Sequence, residues 1–191
     1  MKIGLFFGSF NPIHTGHLII ANYMAFHTDL EQVWLVVSPH NPLKNKASLA
    51  KDYDRLHLVQ LAIENNPRLR ASNIEFSLPK PSYTIDTLTY LKEKHPEHQF
   101  VLIMGGDNLV GLEKWKNYEL ILRDYAIYVF KRPHFLNDKH TELPNVRVFE
   151  DTPLMEISAT FVRTCVQQGK SIRYLVPDAV MREILDSNLY R

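Results

Sequence analysis

The pattern that most restricts this chain is a repeated alternation of short apolar runs with helical stretches. Residues 2–7 (KIGLFF), 32–38 (QVWLVVS), 99–104 (QFVLIM) and 125–130 (YAIYVF) read as buried strands. Residues 69–76 hold a weaker run and 146–150 a short sixth. Between them lie helical patterns. One spans 16–27, with Leu18, Ala21, Met24 and Ala25 on one face, and another spans 52–65, with Leu56, Val59 and Ile63. A third carries Ile85, Leu88 and Leu91, with Ser82 or Thr84 as its cap. Residues 108–122 are mostly helical, and helices over 158–168 and 177–187 close the chain. This order predicts a Rossmann-like, doubly wound α/β fold. Its sheet is mostly parallel, its crossovers right-handed, and a small helical part follows at the C-terminus. The 191 residues suit a single domain, 1–191, that buries a full core without a disulfide or metal staple.

Ligands of such sheets bind beyond the C-terminal ends of the strands. The unusual stretches of this sequence fall there: GSFNPIHTGH (8–17), SPHNPLKNK (38–46), PSYTIDT (81–87), GGDN (105–108) and ISATFVR (157–163). Long polar loops at 38–50 and 131–145 flank them. In the first stretch, Gly8 lets backbone approach a ligand, and Asn11-Pro12 sets a turn. Gly16 opens a helix whose N–H groups favour anions. His14 and His17 then lie in reach of a phosphate. Zinc is a rival reading, because His-x-x-His could recruit His40, and a third reading has the histidines merely filling turn positions. Spacing alone leaves all three open. The glycine spacing is wrong for G-x-G-x-x-G, and no Gly-Lys-Ser/Thr is present, so a hydride-transfer enzyme or a P-loop ATPase is disfavoured.

Net charge is +1, from 22 Lys and Arg against 21 Asp and Glu, which argues against a nucleic-acid partner. Cys165 is the sole cysteine, so neither an internal disulfide nor a cysteine zinc cluster is available. No apolar stretch is long enough to span a bilayer, and the opening strand pattern lacks the features of a signal peptide. The expectation is a cytoplasmic protein without a membrane partner; homo-oligomerisation is left open.

Residues 8–17 resemble the G-[ST]-F-D-P-x-H-x-G-H motif of the HxGH nucleotidyltransferase superfamily. Residues 157–163 resemble its second motif, I-S-S-T-x-[IV]-R. Residues 81–88 and the stretch from Gly105-Gly106-Asp107 to Trp115 are similar to the bacterial nicotinate-mononucleotide adenylyltransferase family, and the likeness runs over nearly the whole chain. Asn11 stands where the first motif has Asp, and Ala159 where the second often has Ser. Asn keeps the turn-forming ability of Asp, and Ser158, Thr160 and Arg163 remain.

The resemblance implies adenylyl transfer from ATP, accompanied by Mg²⁺, to nicotinate mononucleotide, giving deamido-NAD and pyrophosphate in NAD biosynthesis. The nucleophile is already a phosphate anion, so the enzyme needs anion-holding groups rather than a carboxylate pair. His14, His17 and Arg163 are then the catalytic residues. Gly8, Ser9, Phe10, Gly106, Asp107, Ser158 and Thr160 join them around ATP, with Ser158 and Thr160 capping the late helix and Asp107 facing the ribose or the metal. Lys44, Ser82, Tyr83, Thr84 and Trp115 take the mononucleotide; the roles of Lys46 and Arg55 stay open. His57, His95, His98, His134 and His140 read as surface or loop residues, and Cys165 as a small buried group. The rival on the same scaffold is pantetheine-phosphate adenylyltransferase, which lacks the PSYTIDT and Trp115 elements. A non-catalytic nucleotide-binding protein is the remote alternative.

Overall fold

The computed structural model describes residues 1–39, 49–131, 139–153 and 155–191. Its sheet has six strands in the order β3-β2-β1-β4-β5-β6. These are β1 (Lys2–Gly8), β2 (Gln32–Val37), β3 (Leu69–Ser72), β4 (Gln99–Gly105), β5 (Ala126–Phe130) and β6 (Val146–Phe149). Every pairing is parallel, so the sheet is wholly rather than mostly parallel. The order reverses between β1 and β4, which opens a crevice beyond Gly8 and Gly105.

The strands are apolar on both faces because helices cover both. In β2, Val33, Leu35 and Val37 enter one core, and Trp34 and Val36 the other. In β4, Val101 and Ile103 alternate in the same way with Phe100, Leu102 and Met104. The first core is closed by α1 (Thr15–Phe26), α2 (Asp52–Ile63), α6 (Ala159–Gln167) and α7 (Asp178–Asp186). The second is closed by α3 (Thr84–Lys94), α4 (Gly106–Val110) and α5 (Tyr118–Asp124). No helix among the described residues is long and apolar enough to cross a membrane.

Three local expectations change. The run at 69–76 is a strand only to Ser72; Ile74–Ser77 turns into a 3₁₀ helix that carries a buried glutamate, Glu75. The helix expected over 108–122 is broken. Trp115 is extended, and Asn117 takes a left-handed conformation (φ 50°) that Asn tolerates better than most residues, restarting the chain as α5. Neither Ser82 nor Thr84 caps α3, since the cap position falls to Tyr83 and no side chain bonds there.

Candidate active site

The loop after β1 is built around a strained aromatic. Phe10 has φ 43°, rare for a non-glycine residue, and its ring is 1% exposed. Burial of a Phe side chain contributes roughly 1.5–3 kcal/mol, enough to offset the ~1–3 kcal/mol of such strain. The ring meets Phe6 and His17 edge-on, at 5.9 and 5.0 Å between centroids. It also lies so close under Gly8 that a Cβ there would come within 2.8 Å of it. Phe10 therefore offers a ligand only its backbone.

Helix α1 begins at Thr15, one residue before expectation, with His14 as its cap. His14 and His17 form a reciprocal capping box, and their rings stack 3.6 Å apart between centroids. The His14 N–H donates to His17 Nδ1 at 3.3 Å. That bond fixes Nδ1 as acceptor, so a neutral His17 carries its proton on Nε2. A Cβ on Gly16 would sit 3.2 Å from two atoms of the His14 ring, so glycine is what leaves the imidazole its place. The histidines are thus parts of the helix start itself.

The second motif meets the first. Arg163, on α6, donates to the Asn11 carbonyl at 2.8 Å across 152 residues of sequence. Ser158 caps α6 as expected, its Oγ accepting from Phe161 N–H at 3.1 Å. Thr160 does not cap; it lies inside the helix, and its Oγ1 accepts from Arg163 at 3.2 Å. The N-terminus of α1 is also tied to the segment before α7, through Thr15 N–H to the Leu175 carbonyl at 2.8 Å.

Arg55 points neither into the site nor into water. It is fully buried. Its guanidinium donates to the carbonyls of Ser9, Ser38 (2.9 Å), Pro39 (3.4 Å) and Ala50 (3.1 Å) and to Asp52 Oδ1 (2.8 Å). Burial pulls its pKa down, and Asp52 opposes that. Asn11 adds a second tie, its Oδ1 accepting from Ala50 N–H at 3.1 Å. The loops after β1 and β2 are one bonded unit.

On the other side of the crevice, Gly106 and Asp107 start α4 directly after β4. Tyr83 and Trp115 are both half-buried against the second core, so Trp115 is part core and part surface. Lys116 stands 4.8 Å over the Tyr83 ring and pairs with Asp86 at 2.9 Å. The start of α3 and the 115–116 segment are therefore neighbours. Lys44, Lys46, His40 and His134 lie outside the described residues. Among the other histidines, His57 is exposed. His140 is buried within a 3₁₀ turn, against expectation. His95, Glu97 and His98 each bring a ligand atom within 4.8 Å of the others, but before the start of β4, at the opposite sheet end. Cys165 is buried as expected.

The sequence pattern of the cytidylyltransferase-like family matches residues 5–165. A "probable nicotinate-nucleotide adenylyltransferase" of Cytophaga hutchinsonii is 58% identical over 190 residues, covering 100% of this chain and 98% of that protein. One of the same name from Flavobacterium psychrophilum is 51% identical over 193 residues, covering both proteins in full. The chain belongs to the nicotinate-nucleotide adenylyltransferase family. The nicotinic acid mononucleotide adenylyltransferase of Plasmodium falciparum, solved in complex with NaAD, shares the fold at TM-score 0.85. It is 21% identical, and the match covers 99% of this chain and 97% of that one.

Glu75 escaped the sequence reading of this family member, and the role of Arg55 stayed open in it. Arg55 looked like any arginine in a helix's first turn, and nothing in its spacing shows that five acceptors converge on it. Glu75 looked like the polar side of a weak strand. It is 2% exposed, with Oε1 accepting from Thr87 Oγ1 at 2.8 Å and Oε2 from Ser82 Oγ at 3.2 Å. The signal was an acid between Ile74 and Phe76 in a run too short to be a full strand.

Arg55→Ala is expected to destabilise by about 3–5 kcal/mol in urea unfolding, because it strands four carbonyls and Asp52. Arg55→Lys should recover little, since an ammonium has three donors for five acceptors. A loss below about 1 kcal/mol would place the anchor of these loops elsewhere. Burial raises the Glu75 pKa, and the hydroxyls of Ser38, Thr87 and Ser82 only partly oppose it. The unfolded chain then releases this proton at the ordinary glutamate value while the fold still holds it, so stability falls as pH rises from there through the raised value. Unfolding curves of the parent and Glu75→Gln should converge or cross in that sense with rising pH; parallel pH profiles would show that Glu75 is not the titrating group.

Proposed function

We propose that this chain transfers the adenylyl group of ATP to nicotinate mononucleotide, releasing pyrophosphate and forming deamido-NAD. The observation that carries the reading is the Arg163–Asn11 bond, which joins the two motifs at the switch point of the sheet. A mononucleotide phosphate oxygen attacks the α-phosphorus of ATP. The new P–O bond forms as the bond to the bridging α,β-oxygen breaks, and the electron pair leaves with pyrophosphate. No proton needs removing from the nucleophile, so the site's work is to place two anions together and neutralise charge. The histidines, the arginine and the helix starts suit that task, and Mg²⁺ enters with ATP as part of the substrate.

In this reading His17 Nε2–H donates to an α-phosphate oxygen, with His14 supporting the stack. Ser158, Thr160 and Arg163 take the β- and γ-phosphates at the start of α6. Gly8, Ser9 and the Phe10 backbone line the nucleotide, and Gly106 and Asp107 face its adenosine end. Ser82, Tyr83, Thr84 and Trp115 receive the mononucleotide, with Lys44 assigned to its phosphate. The cationic pyridine suits the Trp115 face. Its carboxylate suits the N–H groups at the start of α3, where an amide would set donor against donor. The 191 residues work as one nucleotidyltransferase domain.

The test is ATP and Mg²⁺ with nicotinate mononucleotide or nicotinamide mononucleotide in parallel, following pyrophosphate and the dinucleotide. Turnover of the acid form is expected, and no turnover of either by folded protein would overturn the reading. His17→Ala should lower kcat by about 10²–10³, the usual loss of one donor to a transition-state oxyanion, while loss of its capping bond costs about 1 kcal/mol of stability. Near-normal turnover would remove His17 from the chemistry. Trp115→Ala should raise the mononucleotide KM roughly tenfold and leave that for ATP nearly unchanged. An unchanged mononucleotide KM would return Trp115 to the core.

A further inference from the structure

The reaction above leaves one buried polar cluster without a task. Glu75 is too buried to touch a substrate, yet its two oxygens take hydroxyls from both sides of the turn that starts α3. Ser82 lies just before the cap residue Tyr83, and Thr87 lies in the first turn of the helix. Thr87 Oγ1 also sits 3.4 Å from the Tyr83 carbonyl, so the same hydroxyl touches the cap and the carboxylate.

We propose that Glu75 is the positioning residue for mononucleotide recognition, holding Ser82 and Thr87 so that the Tyr83–Thr84 turn presents its N–H groups to the pyridine acid. The inference rests on the assignment of residues 82–84 to the mononucleotide. An apolar side chain would fill the same space at lower desolvation cost, so what the carboxylate adds is orientation. One oxygen per hydroxyl fixes both the distance and the rotation of the turn against the 3₁₀ segment Ile74–Ser77. It also turns the Ser82 and Thr87 hydroxyls inward, which leaves backbone N–H groups alone to meet the ligand's acid. Ser38 extends the link. Its side chain supports the Glu75 charge, while its carbonyl accepts from Arg55, which also holds Ser9. The two substrate loops are thereby referred to one another.

The experiment compares the parent, Glu75→Gln and Thr87→Val for kcat, both KM values, acid-to-amide preference and melting temperature. Glu75→Gln should raise the nicotinate mononucleotide KM about tenfold, the range of one hydrogen bond to a charged group, and narrow the acid-to-amide preference. The ATP KM should stay within about twofold. Thr87→Val should shift the same KM in the same direction by less. Equal changes in both KM values, or a lowered melting temperature with neither KM changed, would overturn the proposal. If Glu75→Gln does not fold, the split in Thr87→Val decides the matter on the same terms. A parent that does not use nicotinate mononucleotide fails before any variant is compared and overturns the subsite assignment with it. Normal parent turnover with an unsplit KM overturns the positioning role alone.

Discussion

The Arg55 guanidinium lies where the chain leaving β1 and the chain leaving β2 would otherwise part. Its five N–H groups meet five acceptors, four of them carbonyls of irregular backbone. Such carbonyls cannot be paired within a sheet or helix, and leaving them buried and bare would cost on the order of 1–3 kcal/mol each. An aliphatic side chain would fill the space but satisfy none of them. With Arg55 in place, the loop that carries Ser9 and Phe10 is tied to the chain leaving β2, and the histidines beyond it inherit that position. The arginine is deep in the molecule and still shapes the rim of the crevice.

From that anchor the site follows by topology. A parallel sheet whose order reverses between β1 and β4 leaves a gap at its C-terminal edge, and the starts of α1 and α4 open onto it. Helix starts carry a positive dipole end. The chain then brings α6 to the same edge through one bond, from Arg163 to Asn11. The result is an environment suited to anions, built from imidazoles, a guanidinium and helix starts, and fitted to a reaction in which both partners are phosphates.

The strands and the parallel order were legible in the sequence because they rest on local periodicity, and the paired motifs because they resemble those of a known family. Ser158 was legible as a cap for the same reason. What could not be read depends on convergence. Thr160 has the composition of a cap yet bonds Arg163, because Ser158 already holds the capping position. The 108–122 stretch has helical spacing, but Trp115 extends and packs beside the second core, and Asn117 supplies the left-handed step that this requires. Glu75 and Arg55 are surface residue types by composition, and only the partners that reach them from distant segments explain their burial.

A physical division of labour emerges from where the hydroxyls and N–H groups go. Around the second motif, the hydroxyl of the exposed Thr160 accepts from the half-buried Arg163, a bond that in the proposed reading exchanges for an incoming phosphate. Around α3, the Ser82 and Thr87 hydroxyls are spent inward on Glu75. A triphosphate is large, charged and conformationally free, so a site that rearranges around it loses little selectivity. The distinction between a pyridine acid and its amide rests on one functional group at one place. Discrimination of that kind comes from donors that cannot turn away, because a rotatable hydroxyl would accept from an amide as readily as it donates to an acid. Under the proposed assignment of residues 82–84 to the mononucleotide, turning the hydroxyls inward and leaving fixed backbone N–H groups to meet the ligand removes that tolerance, and a buried carboxylate is the simplest group that can hold two hydroxyls inward at once.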